Sequence, residues 1–443
     1  MIKNTINIIQ KLNPADCFTL AMDEEIRQEG MPGSLCGFAL ELSNTPDIDE
    51  LSVRIEEFIT KFPLSTASLQ QRGKQFYWCK RESSYQTFFH HPCPEQEDEE
   101  LFHSNIIDNV INHLEARETI APIEFHLITG NKKNVFLLRW IHPFCDARGA
   151  DLILKYLCTE SESERQLFDL PKTEALVNLQ LKKYKWWQKI SLFIKGKRYI
   201  EQLDQLQSII HAPLDKAPEK LSMAVFRLNE EQTRTITALS RKHVGLTGTS
   251  LYYIGCFMRA LNKIEPEKAG DAYCVPYAFN LRKQKSISPV LGNHVCALFA
   301  QAPRTILNNR EQLFSHLKQQ NMNVIRQKLD YAFLPIMWAA SWLSLKKHGE
   351  HLRQSFKSKT ERSSFWFSDT GIPDLSGHPF FKADITQLFH LCQVTSPPGL
   401  ALLNCQYNKQ LTLSYNYVEP LFNKKWIEKL HKQVVKELLE IPD

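Results

Sequence analysis

The stretch His142-Pro143-Phe144-Cys145-Asp146 sets an imidazole and a carboxylate four residues apart, with Gly149 shortly after. Histidine has an unperturbed pKa of ~6.5, which suits proton transfer near neutral pH, so His142 is a candidate general base. Asp146 has three open roles: orienting the ring, pairing with an arginine that locks the loop, or capping the next helix. Cys145 is a weaker candidate nucleophile, because a free cysteine is more often a small buried hydrophobe. The run His90-His91-Pro92-Cys93-Pro94-Glu95 reads as a surface loop, given its two prolines and the acids that follow.

The elements around His142 would hold it firmly. Two β-rich runs, 123–129 and 135–141, flank the turn Gly130-Asn131-Lys132-Lys133, so His142 comes at a strand end. Gly149 opens an apolar helical stretch, 150–158, which makes 142–146 a strand-to-helix loop of the kind where chemistry is usually placed. Upstream, an apolar run at 35–42 leads through Asn44-Thr45-Pro46-Asp47 into a helical pattern at 48–62, and a second such pattern covers 101–114.

The second half reads as strand 221–228, a helix opened by Asn229 with Gln232 three residues on, and a buried helix at 251–264 begun by Thr247-Gly248-Thr249-Ser250. Strands at 273–279 and 295–301 and a helix at 310–329 come next. Strands near Phe365 and Leu388, a hairpin of 400–407 and 411–417 turning at Asn408-Lys409, and a helix at 424–439 complete it. Hairpins mixed with helices in both halves predict an α+β fold of two lobes rather than a parallel α/β sheet. The expected division is 1–158, a linker at 159–218 carrying a basic amphipathic helix, and 219–443.

Composition bounds the rest. A 443-residue chain exceeds one ordinary core, and 43% hydrophobic with 23% charged residues is globular. A net charge of +5 over this length lacks the domain-wide basic face that nucleic acid calls for. The 11 cysteines show no Cys-x-x-Cys pair, so neither a zinc site nor a disulfide scaffold is expected, and reduced thiols fit a cytoplasmic setting. Met1-Ile2-Lys3-Asn4-Thr5 does not open a signal peptide, and the most apolar stretch, 331–345, falls short of the ~20 residues that span a bilayer. It is expected to be a buried or surface-docked helix.

Several short motifs in order resemble one superfamily: Leu12-Asn13-Pro14-Ala15-Asp16 with Phe18, Lys61-Phe62-Pro63-Leu64, His142 to Asp146, Val275-Pro276-Tyr277-Ala278-Phe279-Asn280-Leu281-Arg282, Leu291-Gly292-Asn293-His294-Val295 and Phe367-Ser368-Asp369-Thr370-Gly371. The chain resembles the His-x-x-x-Asp acyltransferases: chloramphenicol acetyltransferase, peptide-synthetase condensation domains, plant BAHD acyltransferases and bacterial wax ester synthase/diacylglycerol acyltransferases. The resemblance covers nearly the whole chain. It implies two similar lobes meeting at a cleft or tunnel, with His142 as base and Asp146 bound to an arginine, for which Arg282 is the candidate. Ser368, with Thr370 second, would donate to the oxyanion, and Asn293 would order the cleft.

The resemblance further implies a thioester co-substrate, acyl-CoA or a phosphopantetheine carrier protein, with no permanently bound cofactor. The acceptor would be the hydroxyl of an apolar molecule, or an amine in the amide-forming variant; a catalytically retired scaffold is the alternative from another class. The sequence departs from the pattern at Ile141, where many relatives carry a second histidine, and at Ala147, which displaces the usual glycine to Gly149. The BAHD-type Asp-Phe-Gly-Trp-Gly segment is absent.

Segment 181–199 stands apart. It holds seven Lys or Arg between Lys182 and Arg198 and no acid, interleaved with Tyr184, Trp186, Trp187 and Phe193. Leu181, Tyr184, Trp187, Ile190 and Ile194 recur at helical spacing and predict one apolar face. That face would pack on the lobes, rest peripherally on an anionic membrane, or grip an acidic carrier protein or the phosphates of coenzyme A.

Overall fold

The structure, a computed structural model, describes residues 7–81, 85–168, 180–213, 215–246, 248–282, 290–357, 361–373, 375 and 379–442. The opening five residues, Thr247 and parts of the expected linker (169–179 and 214) lie outside the described residues.

The first half runs β1 (Ile8–Lys11), α1 (Pro14–Gln28), β2 (Leu35–Leu42), α2 (Ile48–Lys61), β3 (Ser68–Arg72), β4 (Gln75–Cys79), β5 (Phe88–Pro92), α3 (Glu99–Asn112), β6 (Ile123–Thr129), β7 (Asn134–Ile141) and α4 (Ala147–Cys158). A short α5 (Glu162–Arg165) and the long α6 (Trp186–Leu203) lead into the second half. There β8 (Lys220–Arg227), α7 (Glu230–Val244), α8 (Thr249–Ile264), β9 (Ala272–Asn280), β10 (Val295–Pro303), α9 (Arg310–Arg326) and α10 (Leu329–Ala340) follow. The chain ends with α11 (Leu345–Lys357), β11 (Trp366–Asp369), β12 (Ile385–Cys392), β13 (Leu400–Tyr407), β14 (Gln410–Glu419) and α12 (Lys424–Leu439).

The architecture is α+β with mixed sheets. One sheet has the order β12-β2-β7-β6-β5, a second β11-β13-β14-β8, and smaller sheets join β1-β4-β3 and β10-β9. Only β5–β6 and β11–β13 pair in parallel among the described strands. β12, from the second half of the chain, pairs with β2 and so completes the sheet that otherwise belongs to the first half.

β7 lies in the middle of that sheet and is buried along its whole length, which is why its sequence is a near-continuous apolar run rather than an alternating one. One face of the sheet, with Phe38, Leu40, Phe125, Phe136 and Leu138, packs on α2 and α4 through Leu51, Ile55, Phe58, Ile153 and Leu154. On the other face Ala39, Leu137 and Ile128 join the large core built on α8, β13, β14 and α12. A core shared between the two halves fixes the end of β7 relative to the β9–β10 hairpin. The one charge that β7 buries, Arg139, is neutralised on β6: its Nε donates to Glu124 at 2.8 Å.

Two expected boundaries move for physical reasons. The helix after His142 starts at Ala147, not beyond Gly149, because Asp146 caps it. The helix expected over 310–329 ends at Arg326, where Lys328 turns left-handed with φ 57° and α10 begins in a new direction. The Asn408-Lys409 turn has both residues at positive φ, 45° and 62°, the mirror-image geometry that suits a tight hairpin. Among the described residues no helix is long and apolar enough to cross a membrane.

Candidate active site

His142 follows the last residue of β7. Its amide N–H donates to the Ser34 carbonyl just before β2, at 2.8 Å. Its own carbonyl accepts from Nδ2 of Asn293 at 2.6 Å. The loop is pinned again where the Trp140 indole N–H donates to the Cys145 carbonyl at 2.9 Å. The main chain of the imidazole is thus held from both lobes.

The ring is half-buried. Its Nδ1 is buried with no hydrogen-bond partner among the described residues, whereas Nε2 is neither bonded nor sealed. Burial lowers the ring's pKa below the ordinary 6.5, against smaller opposing pulls from its own carbonyl, Asp146 and Asn293. A neutral imidazole with one open nitrogen is the form a general base needs at neutral pH. His390 on β12 lies close by, packed on Phe38 with ring centroids 4.4 Å apart. Burial, with help from the positive charge His142 could carry, depresses its pKa to about 3, so His390 adds no charge to the site.

Asp146 turns away from the ring and does two jobs. Its Oδ1 accepts the Gly149 amide at 2.7 Å, capping α4. Its Oδ2 accepts Arg282 Nη1 at 2.9 Å and the His294 amide at 2.7 Å. The helix cap and the arginine clamp, alternatives from the sequence alone, coexist because a carboxylate offers two oxygens. Burial by itself would raise the Asp146 pKa; Arg282 and the His294 amide hold it below the usual value. Arg282 also donates to the carbonyls of Val290 at 2.8 Å and Gly292 at 2.6 Å, which ties the β9–β10 connection to the His142 loop.

Gly149 explains the displaced glycine of the sequence. A Cβ there would lie 2.9 Å from the Gly292 carbonyl oxygen and 2.9 Å from Cys145 Cβ, so the two loops meet at a position where only glycine fits. Asn293 is fully buried beside this contact. Burial keeps the Cys145 thiol well above its ordinary pKa, the opposite of what a thiolate nucleophile requires.

The later motif is divided. Asp369 accepts from Ser250 of α8 at 2.9 Å, and the Thr370 hydroxyl donates to the Asn404 carbonyl at 3.1 Å. Strand alternation puts Ser368 on the opposite face of β11 from Asp369. Among the described residues the Ser368 hydroxyl has no hydrogen-bond partner, and neither Ser368 nor Thr370 hydrogen-bonds to the His142 loop.

In the sequence Asp16 is part of the opening motif Leu12-Asn13-Pro14-Ala15-Asp16, and the structure brings it to the site. It sits in the first turn of α1, where its Oδ2 accepts the Asn13 amide at 2.8 Å in a capping box, and its side chain reaches Asn293. Burial raises its carboxyl to about 8, with the Asn13 amide, Asn293 and Asn13 pulling it down. The pattern Asn-Pro-Ala-Asp marks the cap; nothing in it marks the contact with a residue 277 positions away. Ser34 acts through its carbonyl alone and leaves no signal in the sequence. A recess lined by Leu12, Cys17, Phe76, Leu345 and His348 among others does not include His142 in its walls.

No family model matches the chain, and no curated protein matches it. Solved structures do match over nearly its whole length. A trichothecene 15-O-acetyltransferase from Fusarium sporotrichioides aligns with a TM-score of 0.70 at 11% identity, over 97% of this chain and 95% of that one. The first condensation domain of the calcium-dependent antibiotic synthetase aligns at 0.66 and 12% identity, over 99% and 96%. Polyketide synthase associated protein 5 from Mycobacterium tuberculosis aligns at 0.63 and 12%, over 99% and 100%. The chain shares the two-lobed fold of these acetyltransferase and condensation-domain structures.

Proposed function

We propose that this protein transfers an acyl group from a thioester, carried on coenzyme A or a phosphopantetheine carrier protein, to the hydroxyl of an apolar acceptor. One observation carries the proposal. Nε2 of His142 is open and unbonded while both main-chain polar atoms of His142 are tied down, and burial keeps the ring neutral.

In the proposed reaction Nε2 accepts the acceptor's O–H proton as that oxygen attacks the thioester carbonyl. The C–O bond forms, negative charge gathers on the carbonyl oxygen, and Ser368 is the candidate hydroxyl to donate to it. Collapse of the tetrahedral intermediate breaks the C–S bond. The imidazolium returns its proton to the departing thiolate, giving an ester and a free thiol with the enzyme unchanged. Asp146, Arg282 and Asn293 have positioning roles: they hold the loop and carry no proton.

The test is to incubate the pure protein with acyl-CoA of several chain lengths and mixed alcohols, following free thiol together with ester by mass spectrometry. Thiol release with ester formation, lost in His142→Ala, supports the reading. Amide formation with an amine and not an alcohol moves the acceptor class. No release with any donor overturns it in favour of a scaffold, and release unaffected by His142→Ala overturns the assignment of His142 as the base.

A further inference from the structure

α6 is apolar on two opposite sides. Leu192, Gly196, Tyr199 and Leu203 form the packed stripe, and they meet Ala332, Phe333 and Ile336 of α10. A Cβ on Gly196 would come within 2.9 Å of the Ala332 carbonyl, so the helices touch backbone to backbone. The apolar face read from the sequence is divided: Leu181 and Tyr184 pack, but Trp187 is 51% exposed, Ile190 50% and Ile194 44%. Trp186, at 69%, is the most exposed aromatic side chain among the described residues, and Phe193 is exposed as well.

At ~100° per residue, Ile190 and Ile194 each stand ~200° from Leu192. Five large apolar side chains therefore share the outward face of a helix whose inward face is already satisfied. Apolar residues scattered singly over a surface are ordinary, but a contiguous set is not. Basic residues border the set. Lys185 and Lys189 flank its first turns, Lys195, Lys197 and Arg198 the later ones, and the only acid on the helix is Glu201 near its end. Lys185 Nζ lies 5.1 Å over the Trp187 ring, and the two indoles meet edge to face with centroids 5.8 Å apart.

We propose that this outward face of α6 lies on an anionic lipid bilayer. The indoles, Ile190, Phe193 and Ile194 enter the boundary between headgroups and acyl chains, and the lysines pair with anionic headgroups. Such a surface takes both halves of the pattern, since indole favours the interface and each cation is drawn to the negative leaflet. An acidic protein would match the charge while leaving most of the apolar set without a use. This proposal is independent of the reaction proposed above.

The experiment is co-sedimentation of the full chain with vesicles of phosphatidylcholine alone and of phosphatidylcholine with phosphatidylglycerol, at low and raised salt. The variants are Trp186→Ser/Trp187→Ser and Lys185→Gln/Lys189→Gln, at exposed or, for Lys189, partly exposed positions, with unchanged thermal unfolding as the check on folding. Binding to anionic vesicles about tenfold above neutral ones, weakened by salt and cut about tenfold in each variant, is the expected result. Absence of binding at low salt, equal binding to both vesicles, or wild-type binding by the variants overturns it. So does self-association in solution that Trp186→Ser/Trp187→Ser abolishes, or capture of an acidic carrier-protein domain that the same variant loses and anionic vesicles do not displace.

Discussion

Removing the Asp146 carboxylate should loosen the molecule before it alters any chemistry, and the size of the effect follows from its contacts. Asp146→Ala takes away the acceptor of Arg282, of the His294 amide and of the Gly149 amide in one step. Breaking a buried ion pair costs about 3–5 kcal/mol because the remaining charge is stranded. Arg282 keeps the Val290 and Gly292 carbonyls, which favours the lower end of that range. Losing the helix cap adds about 1 kcal/mol, so about 4 kcal/mol is expected. That is a large part of the 5–15 kcal/mol that holds an ordinary domain together. Thermal and urea unfolding of Asp146→Ala, Arg282→Leu and the double variant measure it, and the double variant should recover about 2 kcal/mol against the sum of the singles. Because the Asp146 pKa is lowered in the folded state, its contribution is present above the unfolded value of 3.8 and is lost as pH falls through the folded value. The gap between wild type and Asp146→Ala should therefore close on acidification below that value. A loss under about 1 kcal/mol with strictly additive singles would refute the clamp. Near-complete loss of activity at unchanged stability would point instead to Asp146 acting on protons.

Four further outcomes are expected. His142→Ala should lower acyl transfer by about 10²–10⁴-fold, the usual worth of a general base, while Cys145→Ala remains active. The acidic limb of the wild-type kcat/KM profile should lie below pH 6.5, because the base must be neutral and burial lowers its pKa; a limb above that value contradicts the burial argument. Gly149→Ala should cost about 1–3 kcal/mol by forcing apart the Cys145 and Gly292 loops, and should reduce activity through the displaced His142 loop, as read by unfolding and by kcat at saturating donor. Asp16 binds a proton in the folded protein up to about pH 8 that the unfolded chain releases near 3.8, so its contribution to stability fades as pH rises through that interval. Asp16→Asn, whose amide oxygen can still accept the Asn13 N–H, should show a flatter dependence of melting temperature on pH across the same range.

The parts legible in the sequence are those set by neighbours in the chain. β2, β6, β7 and the hairpin of β13 and β14 follow from apolar runs and turn residues, and the caps of α2 and α7 follow from Asp47 and Asn229. The strand-to-helix loop that presents His142 was readable for the same reason. The two small sheets are partly legible: β9 and β10 are apolar enough to read, whereas β3 and β4 form a short local hairpin that alternates weakly, and β1 is fixed only by pairing with β4 across 66 residues or more. No local pattern announces that β12 joins β2, since the pairing spans most of the chain.

The least legible feature was which side of α6 is inside, and the reason is physical. Helical spacing reports that apolar residues share a face, and in this helix two faces qualify: Leu192, Tyr199 and Leu203 on one, Ile190, Phe193 and Ile194 on the other. The choice is made by a glycine. Only the stripe that contains Gly196 lets α10 approach to backbone contact, and that approach is denied to the side crowded by two indoles and two isoleucines. Packing therefore selects the smoother face and leaves the bulkier one in water, where its apolar surface remains available for an apolar surrounding. The same logic governs the His142 loop, where Gly149 admits Gly292 and so brings Arg282 onto Asp146. In both places a missing side chain decides which surfaces meet, so a single added methyl group at Gly196 should separate α6 from α10 and lower stability without touching any residue of the His142 loop.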